Sequence, residues 1–129
     1  MSSLGNPSIL VAEDDGDVRA VLSLLLAGVS RDVELVLCGR EALDCLSRRT
    51  YDLLICDIHM PDMSGIELFE IVQESYPNLT AMAISGFLSP EKHAQLEALG
   101  VRFLAKPFTA TELFAALEAA LNPQPQNTP

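Results

Sequence analysis

Three acids, one hydroxyl and one lysine fall where short apolar runs stop. Residues 8–13 (SILVAE) end in Glu13, and Asp14 follows; residues 51–56 (YDLLIC) run into Asp57; residues 79–84 lead to Ser85, and residues 101–105 to Lys106. Brief apolar runs rich in branched residues read as buried strands. Carboxylates gathered at strand ends repel one another, and a hard divalent cation with oxygen ligands offsets that repulsion. Mg²⁺ suits such a set because it takes one or two carboxylates, keeps water and accepts a phosphoryl oxygen. A carboxylate nucleophile, a metal and a cation are the minimum set for in-line phosphoryl transfer to an aspartate. Singly, each acid reads more readily as a solvated loop residue. The case rests on the five residues together.

These residues need a scaffold, and the rest of the chain supplies one. After the first run, Asp14-Asp15-Gly16-Asp17 reads as a loop that caps a helix, with Val18, Val21, Leu22 and Leu25 on one buried face and Gly28 as its stop. Residues 33–38 read as a second strand and residues 40–49 as a helix with Ala42, Leu43 and Leu46 inward. Residues 59–65 (HMPDMSG) form a loop, and residues 66–75 a helix that stops before Pro77. Ser89 is the expected N-cap of a helix over 90–99 with Pro90 at its first position. Thr109 or Thr111 caps the last helix, whose stripe is Leu113, Ala116, Leu117, Ala120 and Leu121. Strands alternating with helices at this spacing predict a parallel sheet covered on both faces, and five units are too few for an eight-stranded barrel. Residues 8–121 form the expected domain; residues 122–129, uncharged and Pro-rich, read as a disordered tail or a truncated linker.

Composition narrows the partners. Eighteen acidic residues against eight basic ones give a formal charge of −10, which disfavours direct binding to nucleic acid or anionic lipid. No apolar run reaches the roughly 20 residues that cross a bilayer, and the first residues, MSSLGNPS, read as no signal peptide. The cytoplasm is the expected compartment. Cys38, Cys45 and Cys56 form no CxxC pair and read as reduced thiols inside the core.

The segments ILVAEDD, LLICDIHMPDMSG, AISG and FLAKPF resemble, in order, the four motifs of the response-regulator receiver family of two-component signalling, and the resemblance runs through residues 8–121. It implies a doubly wound, flavodoxin-like α/β fold with five helices and a five-stranded parallel sheet in the order 2-1-3-4-5. That order comes from the family, not from this sequence. With strands one and three about 4.8 Å apart, Glu13, Asp14 and Asp57 converge, and a lysine arm spans most of the roughly 10 Å from the fifth strand to the third. The resemblance implies that Asp57 is the phospho-acceptor and that Glu13 and Asp14 are the acidic pair that binds Mg²⁺, with Mn²⁺ as a substitute. Asp57 and the main-chain carbonyl of His59 complete the metal ligands. Ser85 and Lys106 contact the phosphoryl group, Phe103 is the switch aromatic, and Pro107 suggests a cis bond after Lys106. A sensor histidine kinase or a phosphotransfer protein would be the donor. Phosphorylation would bias a pre-existing equilibrium of residues 89–121, where a protein target, an output domain or a second copy of the chain docks.

Several positions depart from the family or carry a plainer reading. Phe103 lacks the hydroxyl of the common tyrosine and would pass for core without the motif. Phe87, two residues after Ser85, is expected to restrict the attacking water and slow self-dephosphorylation. The last helix lacks Lys and Arg, and Val101-Arg102 replace a common acidic pair, both of which weaken the case for a salt-bridged homodimer. His59 reads as solvated or as overhanging Asp57, His93 as surface, and Asp15, Asp17 and Asp62 as solvated loop acids or caps. Two other functions fit less well. A phosphorylation-independent pseudo-receiver would have no need of the acids, Ser85 and Lys106. A haloacid-dehalogenase-type phosphatase needs a second acid two residues after its nucleophile, where this chain has His59.

Overall fold

The computed structural model describes residues 5–122, so the expected tail lies almost wholly outside the described residues. The elements run β1 (Ser8–Ala12), α1 (Gly16–Leu26), β2 (Asp32–Val36), α2 (Gly39–Arg48), β3 (Leu53–Asp57), α3 (Gly65–Ser75), β4 (Thr80–Ser85), α4 (Pro90–Leu99), β5 (Arg102–Ala105) and α5 (Ala110–Leu121). All the strand pairings are parallel, and the sheet order is β2-β1-β3-β4-β5. The α/β class, the strand order and the five helices are as the sequence and the resemblance predict.

Alternation along each strand divides the core in two. Leu10, Ala12, Leu54, Cys56 and Ala83 point to one face, where Ala42, Leu46, Leu68, Phe69, Val72 and Leu96 of α2, α3 and α4 cover them. Ile9, Val11, Leu53, Ile55, Met82 and Ile84 point to the other face, against Leu22, Leu26, Leu113 and Leu117 of α1 and α5. Successive strand residues face opposite sides, so a strand covered on both sides must be apolar throughout. In β3 every residue is buried. Register then fixes the functional edge: Ala12 pairs with Cys56, Asp57 with Ile84, and Ser85 with Ala105. Glu13, Asp57, Ser85 and Lys106 are thereby carried to one end of the sheet.

Local signals set most helix ends. Asp15 caps α1 by accepting from the N–H groups of Asp17 and Val18. Ser64 with Glu67, and Thr109 with Glu112, form capping boxes that start α3 and α5. Ser89 caps α4, and Gly100 ends it at φ 72°, a left-handed position that suits glycine. Three expectations need correction. Strand β2 covers Asp32–Val36 rather than 33–38, and β3 covers Leu53–Asp57 rather than starting at residue 51. The α1 face is rotated: Leu22 and Leu26 are buried whereas Val21 is 48% exposed, because the two leucines one turn apart meet the sheet. Gly28 follows directly on the Ala27 cap that ends α1, at the stop expected of it, although without a left-handed conformation. Cys45 and Cys56 are buried and Cys38 half-buried, all of them free thiols.

Candidate functional site

Asp57 is the last residue of β3 and is 5% exposed; Glu13, one residue past β1, is fully buried, and Asp14 beside it is exposed. Carboxylate oxygens of Glu13, Asp14 and Asp57 lie within 4.8 Å of one another. Lys106, just past β5, bridges the two buried acids. Its Nζ donates to Asp57 Oδ2 at 2.7 Å and sits 3.0 Å from Glu13 Oε1. The other Asp57 oxygen, Oδ1, accepts the His59 main-chain N–H at 3.0 Å. The Lys106–Pro107 peptide bond is cis.

The electrostatics follow from this crowding. Burial pushes the Glu13 carboxyl up to about 7, against the pull of Lys106 and of the Asp15 N–H, with the Asp57 charge adding to the rise. Burial by itself would lower Lys106, but its bonds to Asp57 and Glu13 outweigh that and raise it. One lysine therefore faces three acids, and negative charge is in excess. Glu13 Oε1 is buried without an aligned hydrogen bond, although Lys106 is close enough for an ion pair. An orphaned carboxylate oxygen in an all-oxygen cluster fits a hard divalent cation.

Ser85 is fully buried, and its hydroxyl donates to the carbonyl of Phe87 at 2.8 Å rather than to Asp57. His59 is exposed and its ring does not bond Asp57: Nε2 lies 3.2 Å from the same Phe87 carbonyl. The Phe87 ring, expected to shield the site, is 73% exposed. Phe103 is half-buried against the α4 side of the core and meets the His93 ring edge-on at 6.0 Å. His93 itself is exposed, as expected.

Two residues of the loop after β3 and its junction with α3 support the site. Asp62, expected to be a solvated loop acid or a cap, is a cap, and the helix it caps is distant in sequence. Its carboxylate accepts from the N–H groups of Gly39 at 3.1 Å and Arg40 at 2.8 Å, opening α2, whose own N-cap residue Cys38 offers no side-chain bond. Partial burial works against the Asp62 charge, but these N–H groups outweigh it and hold the carboxyl below its usual value. The available signal was a helix start with no Ser, Thr, Asp or Asn at its head. The second support is Gly65, where a Cβ would stand 2.6 Å from the Asp57 carbonyl oxygen and 2.8 Å from Ile58 Cα. Glycine lets the loop after β3 fold back under Asp57.

Known proteins agree with this arrangement. The sequence pattern of the family described as "Response regulator receiver domain" matches residues 9–118. The response regulator receiver protein CpdR of Brucella abortus is 37% identical over 117 residues, covering 88% of this chain and 95% of CpdR. The transcriptional regulatory protein ZraR of Escherichia coli (strain K12) is 32% identical over 117 residues, 90% of this chain but 26% of ZraR. The chain thus spans about a quarter of the length of the ZraR relatives it matches. In structure, it is similar to the chemotaxis protein CheY4 of Vibrio cholerae at TM-score 0.83 and 29% identity, with 91% of this chain and 100% of that one covered. The signal receiver domain of an HD domain-containing protein from Pseudomonas fluorescens Pf-5 is similar at TM-score 0.84 and 28% identity, with 90% and 94% covered. With the pattern spanning most of the chain and the fold matching throughout, this chain belongs to the response regulator receiver domain family of two-component systems.

Proposed function

We propose that residues 8–121 form a phosphorylation switch in which Asp57 accepts a phosphoryl group from a sensor histidine kinase or a phosphotransfer protein. The observation that carries this reading is the setting of Asp57. It is nearly buried, bridged by Lys106 at 2.7 Å, and grouped with Glu13 and Asp14 within 4.8 Å. In the transfer, the P–N bond of a donor phosphohistidine breaks as an Asp57 carboxylate oxygen bonds to phosphorus. Glu13, Asp14, Asp57 and the His59 carbonyl would hold Mg²⁺, or Mn²⁺ in its place. The chemistry such an ion supplies is neutralisation of charge on the phosphoryl oxygens. Lys106 exchanges its bond to Asp57 Oδ2 for one to a phosphoryl oxygen. Ser85 turns from the Phe87 carbonyl toward the same group, and Phe103 moves further inward.

A hollow of about 540 Å³ beside Lys106, lined by Val18, Val21, Pro107 and Phe108 among others, suits the apolar surroundings of a donor histidine. Residues 89–121 are the surface read by a protein target, an output domain or a second copy of the chain. The net charge of −10 counts against nucleic acid and membrane as direct partners. Among the described residues no helix is long and apolar enough to cross a membrane, and the cytoplasm is the compartment we propose. The domain acts as an acceptor, not as a turnover enzyme.

The test is intact mass after incubation with a small acyl phosphate, with and without Mg²⁺, for the wild type and Asp57→Asn. A single phosphoryl adduct that requires both Mg²⁺ and Asp57 is expected. No adduct would favour a phosphorylation-independent pseudo-receiver, and rapid multiple turnover would favour a phosphatase.

A further inference from the structure

The Phe87 carbonyl accepts two hydrogen bonds, from Ser85 Oγ at 2.8 Å and from His59 Nε2 at 3.2 Å. A carbonyl only accepts, so His59 Nε2 carries a proton. Ser85 has one hydroxyl proton, and in this arrangement the Phe87 carbonyl holds it. Before Ser85 can donate to a phosphoryl oxygen on Asp57, that bond must break. The position of the Phe87 carbonyl therefore sets how firmly the resting hydroxyl is held.

Among the described residues no other side-chain hydrogen bond reaches that carbonyl. Gly86 has open space around its Cα, the Phe87 ring is 73% exposed, and the bonds to the Phe87 carbonyl are the side-chain hydrogen bonds made by segment 86–88 among the described residues. Ser85 belongs to the strand that must release the segment. Leu88 anchors the far end of the segment by packing against the core, and His59, from the loop after β3, supplies the hydrogen bond that ties the Phe87 carbonyl to the loop beside Asp57. We propose that the His59 side chain is a positioning residue: it latches the β4–α4 loop through the Phe87 carbonyl and thereby keeps the Ser85 hydroxyl turned away from Asp57. The inference rests on the phosphorylation-switch reading above and assigns to the side chain a role separate from that of the His59 carbonyl. Once Ser85 leaves, water can reach the exposed loop and replace it, so the latch favours the resting state more than the switched one.

The test measures affinity for trifluoroberyllate, a phosphoryl mimic, at saturating Mg²⁺ by calorimetry. It compares the wild type with His59→Ala, His59→Gln and Phe87→Ala, with amide NMR of Ser85 and Gly86 as a second readout. His59→Ala is expected to bind about 2- to 10-fold more tightly, the range for one net hydrogen bond. Its Ser85 and Gly86 resonances are expected to shift toward the bound positions even without the mimic. His59→Gln, which restores an N–H at similar reach, is expected to return toward wild type. Phe87→Ala keeps the carbonyl and is expected to match wild type. Loss of the His59 bond is expected to lower the melting temperature of metal-free His59→Ala by no more than about 5 °C, so the variant stays folded in the assay. Equal or weaker binding by His59→Ala, or a His59→Gln variant that behaves like it, overturns the latch and leaves the switch standing. A wild type that binds no trifluoroberyllate overturns the switch reading and the latch together.

Discussion

Replacing Glu13 with glutamine is expected to stabilise the metal-free domain at alkaline pH and to leave it unchanged in acid. Glu13 is fully buried beside Asp57 under a single lysine, and burial raises its carboxyl from 4.5 to about 7. A carboxyl raised on folding holds its proton more tightly in the folded chain. Its contribution is therefore fully present below about 4.5 and is lost as pH climbs through about 7. At about 1.4 kcal/mol per tenfold change in proton affinity, that interval amounts to about 3 kcal/mol. Glutamine resembles the protonated acid and does not titrate, so the variant escapes the loss. The assay is urea unfolding of both chains in EDTA at a series of pH values from 4.5 to 9, followed by circular dichroism. The wild-type-minus-variant difference cancels the other titrating groups. It should be near zero at pH 4.5 and approach about 3 kcal/mol in favour of glutamine above pH 8. Adding Mg²⁺ should narrow the alkaline gap, because an ion that binds only the folded chain stabilises it and needs the charge that glutamine lacks. A difference that stays flat across pH, or grows toward acid, would refute the reasoning.

Two supports of the site can be tested in the same way. Gly65→Ala would force a Cβ against the Asp57 carbonyl and Ile58 Cα, both main chain, so the end of β3 must move. A loss of about 1–3 kcal/mol in urea unfolding, with slower adduct formation on Asp57, is expected, and wild-type behaviour in both would show that the loop yields freely. Asp62→Ala removes the cap of α2 and should cost about 1 kcal/mol, with Asp62→Asn intermediate. Hydrogen exchange should rise first at Gly39 and Arg40, and unchanged protection there would count against the capping role.

The sequence by itself determined the class of the fold and the types of residue at its working edge. Apolar runs such as YDLLIC and the i, i+4 spacing of Leu113 and Leu117 are local patterns, and the solvent reads them as strand and helix wherever they fall. Ser89, Thr109 and Gly100 mark helix ends because caps act within one turn. The acids, Ser85 and Lys106 were visible as residues at strand ends, although the order that brings β1 beside β3 came from resemblance to a family. Tertiary structure decided what each polar group faces. Asp62 reads as a loop acid because the helix it caps lies 23 residues earlier, and no local pattern links the two. Val21 has the spacing of a core residue, yet the roll of α1 on the sheet leaves it half exposed. Ser85 ends β4 two residues before Phe87, whereas His59 lies in the loop after β3, far from both in the sequence. Packing alone aims the His59 donor at the carbonyl that Ser85 already meets locally, because a hydrogen bond across 28 residues exists only once both loops are in place.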